Sequence, residues 1–250
     1  MKIVVCVKQV PDTEARIKIA GDKKSIDPTD INWILNPYDE FAVEEALQIK
    51  EKSGDAQIIV VSVGPERVVS ALRSALAMGA DDAVLVKTDD VYLDSITTAK
   101  ALAEALKDME YDLLLFGKQG VDDDSLAVGP MVAELLGVGC VTRVTDLTVA
   151  DGAIEAKREI EGGAEVVTAK LPAAITAEKG LNEPRYPALR GIMMAKRKPI
   201  PEKQVALAAP KLKIRALEYP PSRQAGKIVG EGVDAVPELV KLLREEAKAI

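Results

Sequence analysis

The sequence predicts an α/β fold, a doubly wound and mostly parallel sheet that gains antiparallel strands late and ends in a C-terminal arm. Three observations carry that prediction. From residue 1 to about residue 138, short β-branched runs alternate with longer helix-period segments, the pattern of successive βαβ units. The runs Ile58-Ile59-Val60-Val61-Ser62-Val63 and Leu113-Leu114-Leu115-Phe116 lack apolar-polar alternation, as central strands covered by helices on both faces do. Beyond Gly139 the rhythm turns to extended segments joined through Asp151-Gly152, a strong hairpin signal.

Taken in order, 3–7 opens the sheet as a strand. A helix over 37–52 starts at Asn36-Pro37, where the asparagine side chain is a natural cap and proline suits the first helical position. Strand 57–63 ends at Gly64-Pro65, and helix 66–78 follows with Val68, Leu72, Ala75 and Leu76 on one face and Gly79 at its stop. Segments 83–87, 95–109, 113–116 and 126–136 repeat the alternation. Strands 141–149, 153–160 and 166–171 form the antiparallel part. Residues 180–203 combine Pro184, Pro187, Pro199 and Pro201 with Lys196-Arg197-Lys198 and read as a long irregular connection. After Pro210 and Pro220-Pro221, a helix over 236–248 carries Val236, Leu239, Val240, Leu243 and Ala247 on one face, a stripe that needs a surface to cover it. The division is a domain over 1–203 and an arm over 204–250.

The 250 residues are 48% hydrophobic, enough for a large core, and only 3% aromatic, so that core is built of aliphatic side chains. A net charge of −7 argues against a nucleic-acid surface, which needs clustered cations in excess. With no histidine, imidazole general-base chemistry, Ser-His-Asp triads and the commonest metal ligand are all absent. Cys6 and Cys140 sit in apolar strands and read as buried hydrophobes in a reduced compartment. The first apolar run is too short for a signal peptide and none approaches a membrane span, so the expected location is the cytoplasm and the chain is not itself membrane-embedded.

The most informative stretch is Gly117-Lys118-Gln119-Gly120-Val121-Asp122-Asp123-Asp124-Ser125-Leu126-Ala127-Val128, between an apolar strand and an amphipathic helix. A glycine-rich turn feeding a helix N-terminus holds anions well, because free amides and the macrodipole point at the ligand. The expectation is a helix beginning near Ser125, with the acids favoured in its first turn and turned away from the anion. Metal binding by Asp122-Asp123-Asp124 is the less favoured reading. No Gly-x-Gly-x-x-Gly follows the first strand and no Gly-Lys-Ser/Thr loop occurs, so neither a dinucleotide fingerprint nor an NTP-hydrolysing loop is supported. In an open sheet the ligand lies at strand carboxyl ends, which selects Cys6-Val7-Lys8, Asn36-Pro37-Tyr38-Asp39, Val63-Gly64-Pro65 and the stretch after Gly117. The fold expected is thus Rossmann-like and adenine-nucleotide-binding. A nucleotide cradle without catalytic neighbours points to holding a nucleotide, not breaking it.

At these residues the chain resembles the β subunit of electron transfer flavoprotein, over essentially its whole length. The resemblance is carried by Val5-Cys6-Val7-Lys8, Asn36-Pro37, Ala42-Val43-Glu44-Glu45-Ala46, Ala75-Leu76-Ala77-Met78-Gly79-Ala80-Asp81, Gly117-Lys118-Gln119 with Asp122-Asp123-Asp124, and Leu181-Asn182-Glu183-Pro184-Arg185-Tyr186. It implies a heterodimer whose α subunit holds a redox-active FAD while this chain holds a structural AMP through Cys6, Asn36, Pro37, Tyr38, Asp39, Val63 and residues 117–128. It further implies electrons taken from acyl-CoA or other flavin dehydrogenases and passed to a membrane quinone oxidoreductase. The segment 181–198 becomes a recognition loop anchored on partner dehydrogenases by Leu189, an exposed leucine on a proline-stiffened loop, and Glu159 holds the mobile FAD domain of the α subunit. The terminal helix would pack on that subunit. Met194 and Arg197 replace lysines that some relatives methylate.

Other readings stay open at this point. A bifurcating-type β subunit would bind a second FAD in place of AMP and use NADH. A stand-alone nucleotide-binding module would need no partner. An ATP-hydrolysing relative lacks support, having neither a phosphate-binding lysine loop nor histidine.

Overall fold

The structure, a computed structural model, describes residues 1–90, 92–222 and 225–250. The elements are β1 Lys2–Cys6, β2 Gln9–Pro11, β3 Trp33–Leu35, α1 Pro37–Ser53, β4 Gln57–Gly64, α2 Val69–Met78, β5 Asp82–Lys87, α3 Ser95–Leu106, β6 Leu113–Gly117, α4 Val128–Leu136, β7 Gly139–Ala150, β8 Ala153–Ile160, β9 Gly163–Lys170, β10 Ala173–Ala177, α5 Leu189–Arg197, β11 Glu202–Lys203 and α6 Val236–Glu245. Among the described residues, nine strands form one sheet in the order β11-β5-β4-β1-β6-β10-β7-β8-β9. Pairing is parallel from β11 to β7 and antiparallel through β8 and β9. The short β2–β3 hairpin stands apart.

Burial on both faces explains the apolar runs. In β1, Ile3 and Val5 join one core cluster while Val4 and Cys6 join the other, and in β6 Leu113 and Leu115 oppose Leu114 and Phe116 in the same way. Each such side chain contributes roughly 1.5–3 kcal/mol by leaving water, so the centre of the sheet anchors the fold. Left-handed glycines stop two helices: Gly54 (φ 72°) donates to the Lys50 carbonyl after α1, and Gly137 (φ 69°) ends α4.

Several expectations are corrected. The segment expected to run helical from residue 66 opens with a 3₁₀ turn, Glu66–Val68, before α2. Strand β10 had no counterpart in the sequence reading, because three of the five residues in Ala-Ala-Ile-Thr-Ala are alanine, which is depleted in strands. It lies between β6 and β7 with all five residues buried. The stretch read as an irregular connection contains α5. That helix is nine residues long, starts in the extended backbone of Ala188 and buries only Ala195, and it stands between Pro187 and Pro199 with Gly191 inside it, signals that read as a connection. The terminal helix stops at Glu245, three residues before the expected end.

The chain divides into a compact unit Met1–Arg215 and a small one, Ala216–Ile250. The small unit holds a 3₁₀ turn, Val233–Ala235, and α6. No residue of α6 is buried, and Val236 and Leu239 are exposed.

Candidate functional site

The sheet order creates one topological switch. The chain leaves β1 through α1 towards β4 on one side, and leaves β6 through α4 towards β7 on the other, so a crevice opens between the carboxyl ends of β1 and β6. The sequence-predicted residues 6–8, 36–39 and 117–128 meet there.

Two side chains from the start of α1 build the crevice. Asp39 accepts the Lys8 amide on one oxygen (2.6 Å) and the Gly117 amide on the other (3.0 Å), clamping the ends of β1 and β6. Burial pushes its carboxyl up to about 7, although both amide bonds favour the ionised form. Asn36 does not cap its helix, contrary to expectation. Its amide nitrogen donates instead to the Gln119 carbonyl (2.8 Å) and its oxygen accepts the Val121 amide (3.2 Å), so the side chain shapes the loop after β6. Pro37 occupies the first turn as predicted. Cys6 is buried and its thiol pKa lies far above the usual value, through burial and the neighbouring Asp39 carboxylate, which leaves it unreactive.

Close approach requires glycine at 117, whereas at 120 a Cβ would press only on side-chain ends that can move. A Cβ at Gly117 would meet the Asp39 carboxylate and lie 2.6 Å from the Tyr38 carbonyl carbon. One at Gly120 would sit 2.5 Å from an Asp122 oxygen and 3.0 Å from Lys8 Nζ. Lys8, which follows β1 directly, belongs to a strand end selected from the sequence but is not among the nucleotide contacts that the resemblance implies. Its ammonium pairs with Asp122 (2.8 Å) and Asp123 (3.3 Å). Burial opposes its charge, but the two carboxylates outweigh burial and raise its pKa.

The acidic triplet needs a second correction. Helix α4 begins at Val128, with Ala127 before it and no acid in its first turn. The acids close a turn of their own: Asp124 is left-handed (φ 51°), its amide donates to the Gly120 carbonyl (2.9 Å), and the Ser125 amide donates to Asp123 (3.1 Å). Ser125, expected to face an anion, is engaged twice over, its hydroxyl lying 2.8 Å from that of Ser95. The amides of Leu126 and Ala127 donate to no protein acceptor among the described residues, and the first amides of α4 lack intrahelical partners by geometry. Among the described residues no three carboxylates, cysteines or histidines gather as a metal site. Lys118 reaches sideways to Glu178 (2.9 Å) over the Tyr38 ring, and Val63 lies half-buried at the end of β4.

The crevice therefore offers glycine-lined space, unpaired amides and a lysine whose charge is offset by two acids. These groups fit a small anionic nucleotide held in place. Leu189 and Glu159 lie outside it. Leu189 is the first residue of α5 and 75% exposed, so it sits on a helix and not on an irregular loop. Glu159 is exposed near the end of β8, opposite Ala164 of β9. Among the described residues no helix is long and apolar enough to cross a membrane.

Comparison with known proteins gives a consistent result. The family model described as electron transfer flavoprotein domain matches residues 24–208. The chain is 44% identical over 260 residues to the electron transfer flavoprotein subunit beta of Bacillus subtilis, covering 100% of both chains. It is 42% identical over 249 residues to that of Syntrophomonas wolfei (99% of this chain, 98% of the relative) and 37% identical over 252 residues to that of Mus musculus (98% of each).

Proposed function

The chain belongs to the electron transfer flavoprotein family as a β subunit, and from that premise we propose that it holds AMP as a structural ligand in the β1/β6 crevice. A partner α subunit carries the redox-active FAD that moves electrons from flavin dehydrogenases to a quinone oxidoreductase. The observation that carries the nucleotide reading is the clamp itself: Asn36 and Asp39 draw three strand-end segments around a glycine-lined space. The amides of residues 126–128 would face the phosphate, with Lys8 neutralising part of the acidic loop beside it. Denaturing the purified α/β complex and identifying the released nucleotides tests this. AMP at one per β chain is the expected result, a second FAD would establish the bifurcating type, and no nucleotide beyond the α-subunit FAD would overturn the reading.

Docking belongs to α5 on the same reading. Leu189, Met193 and Tyr186 are exposed, and Arg190, Lys196 and Arg197 surround them with positive charge. A leucine fixed at a helix start loses little entropy when it enters an apolar pocket. Leu189→Ala is expected to weaken dehydrogenase coupling severalfold and leave nucleotide content unchanged, since the lost side-chain burial lies only at the partner surface. Unaltered steady-state coupling would remove Leu189 from this role. Glu159 would hold the FAD domain of the α subunit through an arginine.

The seating of α5 gives an independent check. Gly191 and Ala195 face α2, and a Cβ at Gly191 would lie 2.5 Å from the Ala77 carbonyl oxygen. Gly191→Ala is therefore expected to push α5 outward at a cost of about 1–3 kcal/mol. Thermal denaturation and dehydrogenase coupling should both suffer, with AMP retained.

A further inference from the structure

The first turn of α3 is where the exit of the chain towards its C-terminal arm meets the acidic loop. Asp94, 3% exposed, caps α3 by accepting the Thr97 amide on one oxygen (2.9 Å). Its other oxygen accepts the amides of Lys211 (2.5 Å) and Leu212 (2.8 Å). From 204 to 215, among the described residues, no other hydrogen bond or ion pair ties the chain down. Most of this segment is exposed, and Val205 alone packs against a core cluster. The residue after Asp94 is Ser95, whose hydroxyl meets that of Ser125 at 2.8 Å. Adjacent residues thus hold the base of the arm and the loop that follows β6.

We propose that Asp94 is the latch that fixes where the C-terminal arm leaves the α/β unit, and that Ser95 connects this latch to the loop, so that a nucleotide bound there steadies the arm. The first half stands on the hydrogen bonds alone, and the second rests on the nucleotide reading above. A carboxylate between two consecutive amides makes a charge-assisted pair that no neutral side chain of the same length reproduces. Without it the free tether begins near Val205 instead of Leu212, and a longer tether lowers the effective concentration at which the arm meets any surface it docks on.

Trypsin provides the readout, because Lys211, Lys213 and Arg215 lie on the latched segment. Asp94→Ser is the informative variant: serine caps a helix well but is too short to reach both amides. In the full-length chain, cleavage at these three bonds is expected to accelerate on the order of tenfold in Asp94→Ser with the thermal midpoint little changed, as local release of a segment requires. Added AMP is expected to slow cleavage in the wild type and to have no effect in Asp94→Ser. Ser95→Ala should keep the slow basal cleavage, bind AMP by equilibrium dialysis, and lose the AMP response. Equal cleavage of wild type and Asp94→Ser would overturn the latch. An AMP response surviving in Ser95→Ala would overturn the connection. Failure of AMP to bind the wild type in dialysis would defeat the nucleotide reading and the second half with it, while the comparison without AMP would still decide the first.

Discussion

Adding one methyl group at Gly117 is expected to destabilise the protein by about 3 kcal/mol or more and to empty the nucleotide site, the upper end of the cost of overpacking. The new Cβ would meet the Asp39 carboxylate, and lie 2.6 Å from the Tyr38 carbonyl carbon and 2.7 Å from the Asp39 amide nitrogen. Two of these neighbours are backbone at the start of α1, which has no room to retreat. The Asn36 amide is bonded to the Lys8 carbonyl (2.9 Å), and the Asn36 side chain is bonded to the loop at Gln119 and Val121. Relief requires β6 and α1 to separate, breaking the Asp39 clamp. Gly21→Ala is the matched control, since a Cβ there meets nothing within 4 Å. Denaturant midpoints and nucleotide bound per chain check the result, and a Gly117→Ala protein with wild-type stability and full nucleotide content would contradict the clamp.

Arg185→Ala is the second large effect, about 3 kcal/mol, the lower end of the cost of leaving a buried charge unpaired. Arg185 bonds both oxygens of Glu44 (2.8 and 2.9 Å), adds its own amide (3.2 Å), and reaches Glu51 (2.5 Å) with a further guanidinium nitrogen. Glu44 is only 4% exposed at its side chain, whereas Arg185 is 36% exposed, so the penalty falls on the carboxylate that remains. The double variant Glu44→Gln/Arg185→Ala should recover much of the loss, because the stranded charge is gone. The sign with pH follows. Burial raises the Glu44 pKa, but the hydrogen bonds from Arg185 and Gln48 outweigh it and hold the carboxyl below its ordinary 4.5. A lowered folded-state pKa contributes stability above the unfolded value that disappears as pH falls through the folded one. The wild type should therefore lose this increment below about pH 4.5, and Arg185→Ala should not show that acid limb in a urea titration. An identical acid limb in both proteins would exclude the pair as its source.

The legible parts of the fold were those whose own sequence repeats the physics. Apolar runs such as Ile58 to Val61 announce a doubly covered strand, and Asp151-Gly152 announces a hairpin. Elements whose stability comes from elsewhere stayed hidden. Strand β10 is a strand because β6 and β7 flank it, and α5 is a helix because α2 accepts Gly191 and Ala195. At the site, the strand ends could be chosen from topology alone, and they converge. The division of labour among them could not. Asn36 looked like a cap and Asp39 like a ligand contact, yet they act across more than seventy residues of sequence as cross-braces. The start of α4 was misplaced because Asp124 takes a left-handed turn that local propensity does not favour.

The cross-braces also set the order in which the molecule can be made. Lys8 and Asp122 are 114 residues apart, and Lys2 pairs with Asp112 across 110. Contacts of such separation close late, after the helices and the β1–β4 pairing that need shorter loops. A nascent chain that has emerged only as far as α3 contains neither wall of the β6 side of the crevice. On the proposed reading, a nucleotide would act only on the finished sheet, by mass action, adding about 2.7 kcal/mol at a hundredfold excess over its dissociation constant. It would lock a completed fold and could not template an unfinished one.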